Sequence, residues 1–449
     1  MTVAAHVDVP DHVQHVLDTL WHNGHAAYAV GGAVRDSLLG RSPKEWDVAT
    51  AALPEQTQSL FPGSDYTNKF GTVTVWSADR SEVPVEVTTF RRDHVYGDHR
   101  RPDTVTFTGS LTEDLARRDF TVNAMAWAND ELLDPYDGRA DLDARLIRAV
   151  GDPAARFDED GLRLLRAARF AAQLGFDIEP KTLAAMITTA ATAKFVSAER
   201  VGAEVSRMLE ADPPSVGFRI LADTGVLEHA VPELHAQLGI PQGKANGVDL
   251  WGHCLASLDG AARLAGDSPL LRLTALLHDI GKPPTFADGH FIGHDEVGAD
   301  MARALLTRFA YERGRVENVS ALIGHHMFSY ERKWSGAAVR RFLRRVGRER
   351  VSDLLNLRRA DNIGSGLPPD AGHLTELEAR IEKELADGAP LSLSELAVDG
   401  DDLKTELGLA PGPQIGKLLE RLLGSVIEDP ARNQRDVLLE QARHWMSAS

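Results

Sequence analysis

The chain has 449 residues, 43% of them hydrophobic and 26% charged, and a formal net charge of −17. That length exceeds one hydrophobic core and fits roughly three domains, while the balance excludes a disordered or membrane-embedded chain. No apolar run nears the ~20 residues of a membrane-spanning helix, the opening MTVAAHVDVPDHVQHVLDTL lacks a signal-peptide pattern, and the single cysteine, Cys254, permits no intrachain disulfide, so a reducing cytoplasm is expected.

Short strands come first. AYAVGG, EWDVAT, GTVTVW and VPVEVTTF alternate β-branched or aromatic residues with polar ones between Gly and Pro breaks, and VRDSLLG between the first two reads as a short helix ended by Gly40. Gly31 and Gly32 occupy that strand-to-helix turn, where backbone N–H groups can approach a phosphate. A glycine turn alone is a weak signal. Glu45 and Asp47, two apart on the expected strand, direct both carboxylates to one face and Trp46 to the other, and Glu86 lies on a strand able to pair alongside. Three carboxylates on one side of a sheet repel one another unless cations neutralise them, and Mg²⁺ favours such hard oxygen ligands. Two Mg²⁺ ions held this way activate a 3′-hydroxyl and stabilise leaving pyrophosphate.

From about residue 150 long helical patterns take over. EDGLRLLRAARFAAQLGF places Leu162, Leu165, Ala168 and Ala172 at three- and four-residue steps, and helices continue to the C-terminus with breaks at 241–247, 282–290 and 364–373. The expected fold class is α+β, a mixed-sheet head followed by an all-helical body. The expected domains are a head over 1–145, a helical neck over 146–240, a histidine-rich domain over 241–370 and a helical tail over 371–449.

In the third of these, His278-Asp279 closes an apolar helix in LLRLTALLHDIGK; His253 precedes it, and His294, His325, His326 and Asp361 follow. A lone histidine on an apolar helix is more often a satisfied core residue, but adjacent His-Asp with further His and Asp suits a divalent metal of unspecified identity. Between Glu331 and Ala360 ten basic residues face three acidic ones, a local excess of seven positive charges in a negative chain. Arg340, Arg344 and Arg348 share four-residue spacing there and are candidate RNA contacts, against the bland alternative of a solvated helix face. In the tail, GPQIGK offers a glycine turn before a helix, and a helix–turn–helix that completes the body is the simpler reading.

Motif order makes the reading specific. GGAVRDSLLGR–PKEWDVAT (31–50), NKFGTVTV (68–75), VEVTTFRRD (85–93), YGDHRRPDTV (96–105), DLARRDFTVNAMA (114–126), DPYDG (134–138) and EDGLRLLRAARFAAQLGF (159–176) resemble, in sequence order, the bacterial tRNA nucleotidyltransferases. These are CCA-adding enzymes, grouped with bacterial poly(A) polymerases in one class of the polymerase-β superfamily. The resemblance is close over about residues 25–240 and looser beyond. It implies a tRNA partner, CTP and ATP as substrates and Mg²⁺ in the head. By matching position, Gly31, Gly32, Arg35 and Asp36 resemble the triphosphate-handling turn and helix. Asp47 matches a metal-binding aspartate and Glu86 the third carboxylate. Arg117, Arg118, Asp119 and Asn123 resemble the element gripping the nucleotide's sugar and phosphates. Asp160 and Arg163, three apart on one expected helix face and followed by Arg166, match the pair that reads the base edge without a template. The basic stretch Arg91–Pro102 resembles the loop that helps switch from C to A.

One position departs from the pattern. The family's Asp-x-Asp is here Glu45-Trp46-Asp47, and the extra methylene shifts the ligand oxygens by roughly one bond length. The histidine region resembles the HD phosphohydrolase family, whose metal set maps to His253, His278, Asp279 and Asp361, with His294 and His325, or His326 in place of His325, completing a second site. Rival readings are a poly(A) polymerase, a partial CC- or A-adding enzyme, and, from another class, an HD phosphohydrolase whose degenerate head only binds RNA. FGTVTV and the 91–102 loop favour CCA addition, and Glu45 is the one feature favouring a degenerate head.

Overall fold

In the computed structural model, which describes residues 6–68, 71–77, 80–94, 104–243, 247–265 and 268–447, the β-branched runs of the head pair into one seven-stranded sheet. Its strands are β1 (Ala27–Val30), β2 (Asp47–Thr50), β3 (Asp65–Asn68), β4 (Thr72–Val75), β5 (Val85–Thr89), β8 (Ala126–Ala128) and β9 (Glu131–Leu133), while β6 (Arg91–His94) and β7 (Thr104–Phe107) form a separate hairpin. The order is β3-β4-β5-β2-β1-β8-β9. β2 and β5 run parallel, a pairing that needs a crossover, and the helix Pro54–Leu60 with β3 and β4 supplies it. The register puts Asp47 directly opposite Glu86.

Val30, Ala49, Phe90, Leu115, Ala124 and Ala126 pack into a core against the sheet, leaving Asp47 and Glu86 on exposed positions. Glu45 corrects an expectation: it lies in a bend before β2 and not on the strand, although Trp46 still contributes its carbonyl to the ladder by accepting from the Glu86 N–H at 3.2 Å. The helix Gly32–Leu38 follows β1 as expected and closes before Gly40, at φ +70°.

The head and neck of the sequence reading share one compact unit, Met1–Ala236, and the histidine domain and tail share a second, Gln237–Ser449. In the first, helix Leu162–Leu174 is buried on nearly every side, including Leu164, Leu165, Ala167, Ala168 and Ala171, so its arginines must find partners. In the second, helices Leu250–Ala265, Pro269–Leu277, Arg313–His325, Gly336–Val346 and Val351–Gly364 surround a core that includes Leu271, Leu322, Val339, Leu343 and Leu354. The tail helices Gly400–Leu407, Pro413–Glu428 and Arg435–Ser447 bury Leu403, Leu422, Val426 and Leu438 in a core of their own. Pro413 opens its helix, so GPQIGK builds this three-helix unit.

The expectation of RNA contact through Arg340 is corrected by its burial. Its Nε and Nη2 donate to the carbonyls of Ile427 and Glu428 at 2.7 and 3.0 Å, and Nη1 donates to Glu384 at 2.6 Å. The last carbonyls of helix Pro413–Glu428 have no intrahelical donors, and a planar guanidinium serves two of them at once. Arg344 pairs with Glu420, and Arg348 pairs with Glu395 at 2.9 Å while donating to the Ala389 carbonyl, but both side chains keep access to solvent. Among the described residues no helix is long and apolar enough to cross a membrane.

Candidate functional site

Asp47 lines both a large cleft of the head, with Glu45, and a small cavity beside it, with Glu86. Burial raises the Asp47 carboxyl above its ordinary range, Arg118 pulls it back, and Glu45 raises it further. Burial likewise raises Glu86, with Asp47 and then Glu45 adding to it. Asp47 and Glu86, each made less acidic by burial and by a neighbouring carboxylate, are hard oxygen donors of the kind a divalent cation takes. A small cavity of about 210 Å³ beside them is lined by Asp47, Thr72, Glu86, Thr88, Arg117 and Arg118, among others. Gly31 makes this approach possible. Its φ of +77° suits only glycine, and a Cβ there would stand 2.8 Å from Arg118 Nη1 and 3.6 Å from Asp47 Oδ2. Its amide donates to the Met125 carbonyl at 3.3 Å, so the turn's role is to let side chains close in as much as to present N–H groups.

A cleft of about 830 Å³ extends from Glu45 and Asp47 past Gly31, Gly32, Arg35 and Asp36 to the helix Leu162–Leu174. Arg35 grips Asp36 with two bonds of 2.8 and 2.9 Å and donates to Asn123 Oδ1 at 2.6 Å. Asn123 in turn donates to Asp119, which also accepts from Arg166 Nε at 2.6 Å. Burial opposes the Asp119 charge, but Arg166 and Asn123 overcome it and hold the carboxyl at about 2. The guanidiniums of Arg35, Arg166 and Arg169 surround the Phe170 ring at 5.1, 5.2 and 4.1 Å from its centroid, concentrating positive charge in one wall. Asp114, fully buried, anchors Arg117 at 2.8 Å and Arg118 at 3.5 Å.

Asp160 and Arg163 line this cleft but differ from expectation. Asp160 sits in an extended break between helices Pro153–Glu159 and Leu162–Leu174, not on a shared helix face. It accepts from the Leu162 N–H and from Arg200 at 2.6 Å, while Arg163 donates to Glu159 and to the carbonyls of Arg156 and Arg117. The helices separate at Asp160, whose backbone is extended (φ −148°, ψ 105°) and whose side chain accepts from the Leu162 N–H, and Gly161 packs so closely on Thr192 that a Cβ would overlap its carbonyl. Sequence reasoning missed Arg169, Arg200 and Arg207, which also line the cleft, and the buried Glu204 that Arg169 contacts at 2.6 Å. Their signal was present: 163, 166, 169 and 173, and again 200, 204 and 207, recur at helical spacing. The 91–102 loop lies largely outside the described residues.

The C-terminal unit gathers its histidines around Asp279. Oδ2 of Asp279 lies 3.3 Å from His253 Nε2 and 3.2 Å from His278 Nε2, and Oδ1 lies 3.5 Å from His294 Nε2 and 3.6 Å from His326 Nε2. Asp361 Oδ1 stands 3.2 Å from His253 Nε2, and Lys282 donates to Asp279 Oδ2 at 2.6 Å. His326, not His325, joins the cluster. Adjacent residues at a helix end point about 100° apart, and His325 is turned toward Arg345, Arg350 and Asp295. Gly281 allows the convergence, since a Cβ there would overlap the His294 carbonyl oxygen.

Ring orientations define the donors. The Nδ1 atoms of His278, His294 and His326 face the carbonyls of Ala275, Phe291 and Ile323 at 2.8, 2.7 and 2.6 Å. A carbonyl only accepts, so each Nδ1 carries a proton and each ring turns its Nε2 toward the centre, where it donates to Asp279 when protonated and can ligate an ion when it is not. Burial favours the neutral form of His278 and His294, and the surrounding imidazoles hold Asp279 well below the usual carboxylate range. Imidazole nitrogens converging on a buried carboxylate fit a divalent ion, and the groups His253–His278–Asp279 and Asp279–His294–His326 are each compact enough to hold one.

Known proteins match along the whole chain. A family model described as the poly A polymerase head domain covers residues 27–148, one described as a probable RNA and SrmB-binding site of polymerase A covers 175–238, and an HD domain model covers 250–365. The CCA-adding enzyme of Limosilactobacillus fermentum is 33% identical over 435 residues, spanning 96% of each chain. The structure of the Bacillus stearothermophilus CCA-adding enzyme in complex with CTP superposes with a TM-score of 0.70 at 28% identity, covering 97% of this chain and 98% of that one. The Thermotoga maritima CCA-adding enzyme complexed with tRNA, 19% identical with a TM-score of 0.59, shares the fold over 98% of this chain and 96% of that one.

Proposed function

The chain belongs to the CCA-adding enzyme family, and from that premise we propose that it adds or repairs the 3′-terminal CCA of tRNA from CTP and ATP without a template. The observation that carries this reading is the register of Asp47 against Glu86 beside a cleft whose wall is the Arg35–Asn123–Asp119–Arg166 network. Asp47, Glu86 and Glu45 would hold Mg²⁺, which when bound favours the primer 3′-alkoxide and offsets charge on the departing pyrophosphate. The new bond joins the 3′-oxygen to the α-phosphorus, and the bond to the bridging oxygen breaks. Arg118, braced by Asp114, and Arg35, braced by Asp36 and Asn123, face the triphosphate. Asp160 accepts from the exocyclic amino group of C or A, and Arg163 donates to the adjacent ring nitrogen. A cytoplasmic setting accords with the single cysteine.

Incubating the protein with Mg²⁺ and tRNAs lacking CCA, or ending in C or CC, and sequencing the ends after adding CTP, ATP or both tests this. Completed CCA ends are expected. Long A tails would shift the reading to a poly(A) polymerase, single additions to a partial enzyme, and no incorporation would overturn it.

The inward-facing imidazole nitrogens support a second activity, metal-dependent hydrolysis of a phosphoester at the histidine centre. His253, His278, Asp279 and Asp361 form one binding set and Asp279, His294 and His326 the other. Water adds to phosphorus, one P–O ester bond breaks, and the proton passes to the departing oxygen. Protein that takes up neither Mn²⁺ nor Ni²⁺ and cleaves no cyclic phosphodiester would overturn this part.

A further inference from the structure

The small cavity of the head has one lining residue that the chemistry above does not use. Its floor is a face of the sheet. Asp47 and Glu86 stand opposite each other on β2 and β5, and two residues further along β5 Thr88 pairs with Thr72 of β4, their hydroxyls 3.1 Å apart. Arg117 and Arg118 wall the cavity, and so does Arg91, the first residue of β6.

The backbone delivers Arg91 to this place with little freedom. Phe90, a core residue, donates its N–H to the Thr50 carbonyl at 2.7 Å, and its own carbonyl accepts from the Thr108 N–H at 2.9 Å. The Arg91 N–H donates to Asp114 Oδ1 at 3.3 Å. The same buried carboxylate anchors Arg117 and Arg118, so one acid fixes all three arginines around one cavity. Arg92, the next residue, pairs with Glu113 and is exposed. Burial disfavours the charged form of Arg118; Asp114 offsets part of this and Arg117 adds to it. Guanidiniums gathered at a cavity call for an anion within it.

The position of that anion follows from the reaction geometry. Asp47 is shared with the large cleft, where Arg35, Asp160 and Arg163 stand. In-line transfer sets the attacking 3′-oxygen on the side of the α-phosphorus opposite the departing pyrophosphate. With the nucleotide in the cleft, the attacking strand comes from the small cavity.

We propose that Arg91 binds the last phosphodiester of the RNA strand and so holds the terminal 3′-hydroxyl over Asp47 and Glu86; this rests on reading the head as the transferase. The planar fork of an arginine matches the two non-bridging oxygens of a phosphodiester. Arg91 thereby acts on the RNA, whereas Arg35 and Arg118 act on the incoming nucleotide.

The test uses the full chain and an acceptor-stem minihelix ending in CC, whose last internucleotide linkage is either the phosphodiester or an uncharged methylphosphonate. Arg91→Ala is expected to raise the RNA KM in ATP addition, and the RNA Kd measured without nucleotide, about 10- to 100-fold, with the KM for ATP and the melting transition unchanged. Arg91→Lys, which keeps the charge and loses the fork, is expected to recover part of the loss. The methylphosphonate should cost the wild type a similar factor and cost Arg91→Ala little. An unchanged RNA KM and Kd in Arg91→Ala, an effect on the KM for ATP alone, or equal sensitivity of both proteins to the methylphosphonate would overturn the contact and leave the transferase reading standing. Wild-type protein that binds the RNA and adds no nucleotide would overturn the transferase reading and the contact with it.

Discussion

In the N-terminal unit the acids keep access to solvent and the Asp47 and Glu86 carboxyls are raised by burial and by neighbouring carboxylates, whereas in the C-terminal unit His253, His278 and Asp279 are almost wholly withdrawn from water and Asp279 is strongly acidic. Arginines divide the same way. Arg163 and Arg169 of helix Leu162–Leu174 are as buried as Arg340, but they line the wall of a cleft, while Arg340 caps a neighbouring helix. On the proposed function, the first site would exchange cation and substrate together and the second would retain an ion once bound. Hard, solvated oxygens release Mg²⁺ readily; oriented imidazoles in a buried pocket do not.

The largest effect that can break this comparison is on the acids. Asp47→Ala should lower nucleotide incorporation by about 10³-fold or more, the scale of removing a preorganised electrostatic group, with hydrolysis at the histidine centre untouched. If incorporation survives, the cleft is not the transferase site. His278→Ala should strip metal from the C-terminal unit, by about 10²-fold in affinity or more, while CCA addition persists. His325→Ala should retain metal, and elemental analysis of the two variants side by side separates the adjacent histidines.

Arg340→Ala leaves two carbonyls and Glu384 without their donor and should destabilise the C-terminal unit by about 2–4 kcal/mol, seen as a lowered melting transition. Tracking tRNA affinity against salt for the same variant tests its role directly, since an unchanged slope is expected of a residue that touches no phosphate. Glu45→Ala should cost incorporation roughly 10- to 100-fold, with Glu45→Asp near wild type. Loss on Asp47→Ala alone would make Glu45 a bystander.

The smallest effect concerns pH. The folded-state pKa values of Asp47 and Glu86 are raised, so without a cation the stability gained by protonating them is full below the ordinary carboxylate range and is lost as pH rises through the raised values. A cation competes with those protons. The Mg²⁺ concentration for half-maximal incorporation should therefore rise as pH falls, by about threefold per half unit once below the raised values, and excess Mg²⁺ should restore the rate. The histidine centre should not follow this curve.

Much of this was legible in the residues. Strand patterns located β1, β2, β4 and β5, and motif order located the cleft, because short covalent spacings there coincide with the spatial arrangement. Spacing failed where the chain departs from regular geometry. Glu45 falls in a bend and Asp160 in a break between helices, so strand and helix periodicity placed them wrongly. Choosing between His325 and His326 needed the helix phase at its last turn. A basic run resembled an RNA surface because the partners of Arg340, Ile427 and Glu428, lie more than eighty residues away and include backbone carbonyls, which no side-chain pattern records.

The parallel register of β2 and β5 carries one more consequence. Ladder hydrogen bonds fix where Asp47 and Glu86 stand relative to each other, so loop changes elsewhere in the head leave that pair intact. Glu45 lies in the bend just before β2, outside the ladder, so no strand pairing sets its position. Of the three acids it is the one whose side chain can differ by a methylene without a change in the Asp47–Glu86 register.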